Sequence, residues 1–410
     1  MNKVEILFVS SLCSSSKYKW ITKIRTTPSL DPAQRMFYAM IEGMINNNCN
    51  VTCISALPVG TSNMDSSHKI FLRSEELENQ IHFIYPSFRI GKIRRLIDLY
   101  KNVKKEVKEW INKTNGKRRF IICDSLLIMC TIGTRKLGKS NKIKTFAYVT
   151  DYPSMATNIK IKNASLSRKL FQKLYDKCAD YDLKKYDGYI LVAEALKDLI
   201  KIKKKPYVVV EDVIVIPKDV NYMYNHKNKP FTIVYGGALC ERFGVNKLAN
   251  AVMQISNKDI VIRFYGSGES IEYLKKLNLK DSRIQYCGQV SFEELQKIQR
   301  EANLLVNPRP SNESFSAYSF PSKTLSYMLS STPVLSTRIP GIPEGYKPYL
   351  LWFDEEDVDS MAKKIEEVIS VPVDDLEKIG KKAYEYVINE KNCDVQAKKI
   401  LSFMERENNE

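Results

Sequence analysis

The sequence predicts an α/β protein made of two successive units, each built on a parallel β-sheet. Short apolar segments alternate with longer stretches of helical periodicity along both halves of the chain. A polar segment without periodicity, Pro217 to Pro230, separates the two halves and is predicted to be a linker. The chain has 410 residues, which is enough for two domains with complete cores.

The first half begins with a strand over Val4 to Ser10. A helix over Ala33 to Met44 follows, with Asp31 as its predicted N-cap and Pro32 as its first helical residue. Further strands are predicted over Val51 to Ala56, Ile81 to Tyr85, Phe120 to Cys123, Thr145 to Val149, Tyr189 to Val192 and Val208 to Val215. Strands that alternate with helices favour a parallel sheet with right-handed crossovers.

The same alternation restarts after the linker, which indicates a second Rossmann-like unit. Its predicted elements are a strand over Thr232 to Tyr235, a helix over Val245 to Ile255 and strands over Val261 to Tyr265 and Ala302 to Asn307. A last helix, about Val395 to Phe403, is expected to pack back on the first unit. We therefore predict domains over residues 1–216 and 217–378, and a returning helical segment over residues 379–410.

Composition narrows the class of protein. A net charge of +17 predicts attraction to nucleic acid, to an anionic membrane surface or to phosphorylated substrates. Nine cysteines without metal-type spacing indicate reduced thiols in a cytoplasm, and three histidines exclude histidine-rich metal chemistry. No signal peptide is expected, and the most apolar run, Phe120 to Gly133, is too short for a membrane span.

The segment from Val261 to Pro343 carries the motifs of a nucleotide site. Glycines after its strands, Gly266, Gly268 and Gly288, allow a backbone to approach phosphates. A helix is then opened by Pro321-Ser322-Lys323. The proline fits a helix start, the following amides are expected to face an anion, and the lysine adds a positive charge. The alternative is an ordinary helix start whose lysine extends into solvent.

The order of these motifs resembles the retaining glycosyltransferases of the GT-B fold, specifically glycosyltransferase family 4. The resemblance is strongest over Ile233 to Phe353 and weaker over Val4 to Ile216. It implies two Rossmann-like domains that face each other across a cleft, with the donor in the C-terminal domain and the acceptor in the N-terminal domain. It also implies that no metal and no other cofactor is required, the donor substrate being a UDP- or GDP-sugar.

The resemblance implies a set of donor-binding residues, and this sequence departs from the family at several of them. The family's Arg and Lys that grip the diphosphate fall on Ala238 and Phe243, so Arg242 is predicted as a displaced phosphate clamp. An Arg on a solvated helix start is the alternative. The family's two glutamates fall on Tyr318 and Ser326, with Glu313 earlier in the same loop. The predicted donor-binding set is Gly237, Gly266, Gly268, Gly288, Val290, Glu313, Tyr318, Ser322, Lys323, Thr324 and Ser326.

On the acceptor side, two aspartates follow predicted strands, at the carboxyl ends where ligands of parallel sheets bind. Asp124 and Asp151 are predicted to orient an acceptor hydroxyl or to act as general base, and helix N-capping is the alternative for each. Together with Lys323 and Arg242 they are the predicted catalytic residues. The amphipathic stretch Lys92 to Trp110 either covers the sheet with its basic face in water or docks on anionic lipid.

The sequence and the resemblance together predict a metal-independent, retaining hexosyltransferase of cell-surface polysaccharide synthesis. The expected acceptor is a lipid-linked saccharide, and the expected location is the cytoplasm, peripheral at the inner face of the cell membrane. Three alternatives remain open: a GT-B binding or scaffold protein, a nucleotide-sugar epimerase, and a nucleic-acid binder. The last is disfavoured because the chain carries no nucleic-acid-binding motif.

Overall fold

The computed structural model describes residues 3–25, 32–59, 68–114, 118–158, 165–202, 204–217 and 230–409. The chain divides into two compact units, one of Met1–Val215 with Cys393–Glu410 and the other of Ile216–Asn392. Each unit is an α/β domain with a mainly parallel sheet, so the predicted fold class is confirmed. Asp31 and most of the predicted linker lie outside the described residues.

The strands are β1 (Val4–Ser10), β2 (Cys49–Ser55), β3 (Ile70–Phe71), β4 (Ser74–Glu78), β5 (Ile81–Tyr85), β6 (Phe88–Arg89), β7 (Arg119–Asp124), β8 (Lys144–Val149), β9 (Gly188–Leu191), β10 (Tyr207–Val209), β11 (Phe231–Ala238), β12 (Ile260–Ser267), β13 (Ile284–Tyr286), β14 (Leu304–Asn307), β15 (Val334–Ser336) and β16 (Leu351–Trp352). The helices are α1 (Ser15–Ile24), α2 (Pro32–Asn46), α3 (Lys92–Lys113), α4 (Ile128–Ser140), α5 (Pro153–Asn158), α6 (Leu166–Leu183), α7 (Leu196–Ile200), α8 (Val245–Gln254), α9 (Ile271–Asn278), α10 (Phe292–Glu301), α11 (Lys323–Met328), α12 (Val358–Ser370), α13 (Val373–Glu390) and α14 (Cys393–Asn409).

The first unit has an eight-stranded sheet in the order β10-β9-β8-β7-β1-β2-β5-β4. Its strands are parallel except for β4, which runs antiparallel to β5 at the edge. β1 is almost wholly buried, as expected for a central parallel strand covered on both faces. The order reverses between β1 and β7, so the carboxyl ends of these two strands flank the topological switch point, where such sheets bind ligands.

α14 packs on the first unit, against α2, as the sequence predicts. Gly43 allows this approach, because a Cβ there would lie 2.1 Å from the Cys393 carbonyl oxygen. Phe403 packs edge-on against Phe146, with 5.5 Å between ring centroids. α13 belongs to the second unit, so the predicted boundary between residues 378 and 379 falls inside a helix.

The second unit has a six-stranded parallel sheet in the order β13-β12-β11-β14-β15-β16. Its core joins the inward side chains of β11, β12 and β14 to those of α8, α9 and α12, and it includes Ile233, Tyr235, Ile262, Phe264, Leu248 and Ile365. The chain starts the sheet at β11, moves outward to β13, and returns to the other side of β11 at β14. The switch point of this unit therefore lies between the carboxyl ends of β11 and β14.

β4 and β10 differ from the sequence prediction, and the two-residue strands β3, β6 and β16 were not predicted either. β4, Ser74–Glu78, was not predicted because its sequence is mostly charged, which suits an edge strand with one side in water. β10 ends at Val209, earlier than predicted. Beyond it, the Val213 amide donates a hydrogen bond to the side chain of its neighbour, Asp212 Oδ1, at 2.8 Å. Such a local side-chain bond competes with a sheet ladder.

Candidate active site

Two cations converge at the switch point of the second unit. Lys323, the first residue of α11, directs its Nζ to the turn that ends β11. The Nζ lies 3.8 Å from the centroid of the Tyr235 ring, and 3.1 Å from where a Cβ on Gly237 would stand. The second cation, Arg309, follows β14 on the other side of the switch point and is 6% exposed.

The pKa of Lys323 is lowered to about 7, first by burial of its amine and next by the positive charge of Arg309. Removal from water disfavours the ammonium, and a like charge nearby disfavours it further. An anion bound between the two cations would reverse both effects. Sequence reasoning missed Arg309; the available signal was a cation directly after a strand that borders the switch point.

Glycines bring the strand ends close together at this edge of the sheet. Gly237 and Gly266 have φ of +142° and +136°, values that residues with a side chain rarely adopt. A Cβ on Gly266 would lie 1.8 Å from the Gly237 carbonyl oxygen, so only glycine fits there. The Gly266 amide donates to the Gly288 carbonyl, 2.8 Å away, which joins the ends of β12 and β13.

Gly268 and Gly288 differ in their surroundings. A Cβ on Gly268 would lie 2.2 Å from the Leu239 carbonyl oxygen, whereas a Cβ on Gly288 would meet nothing within 4 Å. The Gly288 backbone, with φ of +82°, therefore borders open space. Val290, two residues on, is half-buried.

Tyr327 connects α11 to the β11 turn, a role that no sequence pattern indicates. Its buried hydroxyl accepts a hydrogen bond from the Gly236 amide at 2.8 Å and donates to the Gly236 carbonyl at 3.2 Å. Because a buried backbone amide without a partner is costly, this pair holds the glycine turn next to Lys323 in one conformation.

The other residues predicted near α11 lie at the start of this six-residue helix. Ser322 is exposed, and Thr324 is buried, with no partner for its hydroxyl among the described residues. The Thr324 amide donates to the Pro321 carbonyl at 2.8 Å, so this amide does not face outward to an anion as the sequence suggested. The Ser326 hydroxyl donates to the Lys323 carbonyl at 3.0 Å.

The loop after β14 carries the remaining predicted donor residues, Glu313 and Tyr318, both half-buried. Phe315, between them in sequence, lies beside two guanidinium groups. The Arg309 Cζ is 4.4 Å from the Phe315 ring centroid and the Arg242 Cζ is 5.8 Å from it. Arg242 is exposed, but this shared aromatic contact places it on the same side of the sheet edge as Arg309.

In the first unit, the two predicted aspartates differ in position. Asp124 ends β7 at the switch point and is buried, and its Oδ1 accepts a hydrogen bond from the Leu126 amide at 3.0 Å. Leu127 is the N-cap of α4, so Asp124 forms a local turn and does not cap that helix. Asp151 follows β8, one strand farther from the switch point, and is exposed.

A family model matches most of the second unit. Residues 230–370 match the family model described as glycosyl transferases group 1, and this range contains Lys323, Arg309 and the glycine turns described above. No curated protein matches the chain.

Among the described residues, no group of three or more His, Cys, Asp or Glu side chains is arranged to hold a metal ion. No helix in the described part of the chain is long and apolar enough to cross a membrane.

Solved structures share the fold along the whole chain. A glycosyltransferase from Rickettsia africae has 15% identity and a TM-score of 0.64, with 99% of each chain covered. HepE from Anabaena, in complex with UDP, has 12% identity and a TM-score of 0.61, covering 98% of this chain and 100% of that one. An α,α-trehalose-phosphate synthase (UDP-forming) from Burkholderia xenovorans, in complex with glucose-6-phosphate, has 10% identity, a TM-score of 0.65 and the same coverage. The chain therefore has the GT-B fold.

Proposed function

We propose that this protein is a glycosyltransferase that uses a nucleoside diphosphate sugar, bound at the β11/β14 switch point of the second unit. The observation that carries this proposal is the convergence of Lys323 and Arg309 beside the Gly237 turn. Two positive charges held close together repel each other. A diphosphate, with its several negative oxygens, compensates both. The open backbone of Gly288 is the proposed site for the nucleotide base.

The same cations account for a metal-independent reaction. When the bond between the sugar and the diphosphate breaks, negative charge grows on the departing oxygen, and Lys323 and Arg309 stabilise it. We propose that the departing phosphate then takes the proton of the acceptor hydroxyl, so that the new bond forms on the same face and the anomeric configuration is retained. The transferred group is proposed to be a hexose. UDP in the HepE complex supports a UDP-sugar donor, with GDP-sugar as the other candidate.

A nucleotide titration tests the donor site. UDP and GDP are titrated into the full chain by calorimetry, with Lys323→Ala and the matched control Lys347→Ala, whose side chain is exposed in the same unit. We expect one nucleotide to bind the parent chain and the Lys347 variant equally, and the Lys323 variant at least tenfold more weakly. Absence of binding by both nucleotides, or equal binding by both variants, would contradict the proposal.

A nucleotide-binding scaffold without turnover is the second candidate. It is favoured by the absence of cations at Ala238 and Phe243 and by the Ser326 hydroxyl, which bonds the helix backbone and does not extend toward a ligand. The two functions separate when UDP- and GDP-sugars are incubated with the enzyme and released nucleotide is measured. A transferase liberates nucleotide at a rate that falls in Lys323→Ala; a scaffold liberates none.

The acceptor is proposed to be a saccharide held by the first unit, with Asp124 to orient its hydroxyl. In α3, Val103, Val107 and Trp110 are buried, whereas Ile93 and Ile97 are exposed. Apolar side chains on α6 are also exposed, and Leu170 is 62% exposed. Exposed lysines on the same helix are Lys169, Lys173 and Lys177. Exposed leucines next to lysines suit an anionic bilayer surface, which supports the proposed lipid-linked acceptor and peripheral membrane location.

Sedimentation with vesicles tests the membrane proposal. Leu170→Ser with Leu174→Ser is compared with Leu279→Ser, which removes an even more exposed leucine from the other unit. We expect the parent chain and the Leu279 variant to bind phosphatidylserine vesicles and not phosphatidylcholine vesicles, and the double variant to lose most of this binding. Equal binding by all three proteins would remove α6 from the interaction.

A further inference from the structure

Arg95 is a cation at the carboxyl edge of the first unit's sheet that has no carboxylate partner among the described residues. It lies in the first turn of α3, and its Nη2 donates to the Leu57 carbonyl at 3.2 Å, just beyond the end of β2. Its Cζ is 5.3 Å from the Phe88 ring centroid. The Nε is shielded from water and has no hydrogen-bond partner in the described part of the chain. Burial lowers the pKa of Arg95, so its charge lies in a poorly solvated place.

Two other arginines of this unit are paired with buried carboxylates. Arg135 bonds Asp182, both almost fully buried, and Arg73 bonds Glu106 with its Nε 2.7 Å from the carboxylate. A charge held out of water without a partner costs free energy, which explains why these pairs exist. Arg95 has no such carboxylate partner among the described residues, and a bound anion would supply the missing negative charge.

The N-terminal turn of α4 adjoins Arg95. Burial raises the pKa of the Cys130 thiol in that turn to about 12, and the nearby Arg95 charge is the main opposing influence. α3 packs against α4 along this side of the sheet. α4 has 13 residues, and Leu127 at its N-cap offers no side-chain hydrogen bond to the helix. The Cys130 amide donates to the Leu127 carbonyl at 2.8 Å, so the amides of Ile128 and Met129, with the positive end of the helix dipole, are the ones left for a ligand.

Ser125 gives a second, independent indication of a ligand. It is 6% exposed, lies between the end of β7 and the start of α4, and its hydroxyl has no partner among the described residues. Its amide donates to the Tyr148 carbonyl at 3.1 Å, which fixes the backbone there. A buried hydroxyl without a partner in a polar strand-end loop indicates a group that is absent from the chain itself.

We infer that Arg95, the N-terminal turn of α4 and Ser125 form a binding site for a phosphoryl group. A guanidinium fork, helix amides and a hydroxyl are the donors that bind phosphate in proteins. Assigning this phosphate to the sugar acceptor rests on the proposed glycosyltransferase function; the anion site itself does not. Asp124, at the same switch point, is then placed to orient a hydroxyl of the phosphate-bearing acceptor.

The test is a titration of inorganic phosphate into the full chain by calorimetry, with UDP present in excess to occupy the donor site. Arg95→Gln is compared with Arg94→Gln, which makes the same charge change at an exposed neighbour on α3. We expect phosphate to bind the parent chain and the Arg94 variant equally, and the Arg95 variant at least tenfold more weakly. Arg95→Lys and Ser125→Ala are expected to bind with intermediate affinity, and they serve if Arg95→Gln does not fold.

Equal phosphate binding by all variants, or an equal loss in the Arg94 and Arg95 variants, would overturn the site. Competition distinguishes the source of the phosphate: glucose 6-phosphate displaces inorganic phosphate if the acceptor is a sugar phosphate, and water-soluble dihexanoyl phosphatidic acid does so if it is a lipid phosphate. Displacement by neither overturns the acceptor assignment. Failure of UDP to bind would refute the proposed donor function and leave the phosphate result to be judged by itself.

Discussion

Nucleotide binding by this protein is predicted to take up a proton at Lys323. In the free protein the pKa of Lys323 is about 7, because burial and then Arg309 disfavour its ammonium form. A bound diphosphate favours the ammonium and returns its pKa toward the ordinary value of about 10.4. The sign follows from the lowered pKa of the free form: strong binding is present at and below about pH 7 and is lost as the pH rises above it.

The size of the effect follows from the same value. At pH 8 about nine-tenths of the free protein carries a neutral Lys323, so binding takes up about 0.9 proton. At pH 7 about half of the free protein is protonated and at pH 9 about one part in a hundred. Affinity should therefore fall about 50-fold between these two pH values if only the protonated form binds. Phosphate groups ionise near pH 6, so the nucleotide contributes little above pH 7.

Calorimetry in buffers of different ionisation enthalpy measures this proton uptake. UDP or GDP, whichever binds, is titrated into the parent chain, Lys323→Arg and Lys323→Met at pH 7, 8 and 9. The arginine stays protonated throughout, so its affinity should be independent of pH, and the methionine variant should bind weakly at every pH. The assignment of Lys323 to the phosphate site would be refuted if the nucleotide affinity of the parent chain stayed constant from pH 7 to 9 and no proton were taken up.

Three further predictions concern the packing around the sites, and chemical denaturation of each variant checks them. Tyr327→Phe should cost about 1–3 kcal/mol, because it leaves the buried Gly236 amide without its partner, and nucleotide affinity should fall with it; an unchanged midpoint would contradict the hydrogen-bonded turn. Gly266→Ala should prevent stable folding of the second unit, whereas Gly288→Ala, at a φ of +82° with open space around its Cβ, should cost about 1–3 kcal/mol; similar losses would show that the clash is absent. Arg135→Leu should destabilise the first unit by about 3–5 kcal/mol, and Leu at both Arg135 and Asp182 should recover most of that loss; a double variant as unstable as the single one would count against the buried pair.

The alternation of strands and helices was enough to predict both parallel sheets and the return of the last helix. Those features depend on local periodicity and on the short list of ways to connect parallel strands. β4 escaped because an edge strand with charged residues has no apolar run to mark it. β10 is shorter than predicted: beyond it the Val213 amide bonds a side chain, Asp212, although the apolar sequence continues.

By itself, the sequence determined which glycines and which lysine lie at the carboxyl edge of the second sheet, because positive φ and a positive charge each require a particular residue type. Only the tertiary structure decided which groups meet: Arg309 beside Lys323, the Tyr327 hydroxyl on Gly236, and Arg95 beside the start of α4. The physical reason is that local patterns fix elements, whereas the crossovers of a parallel sheet bring distant strand ends to one edge. The charges that face each other there depend on packing between elements far apart in the chain.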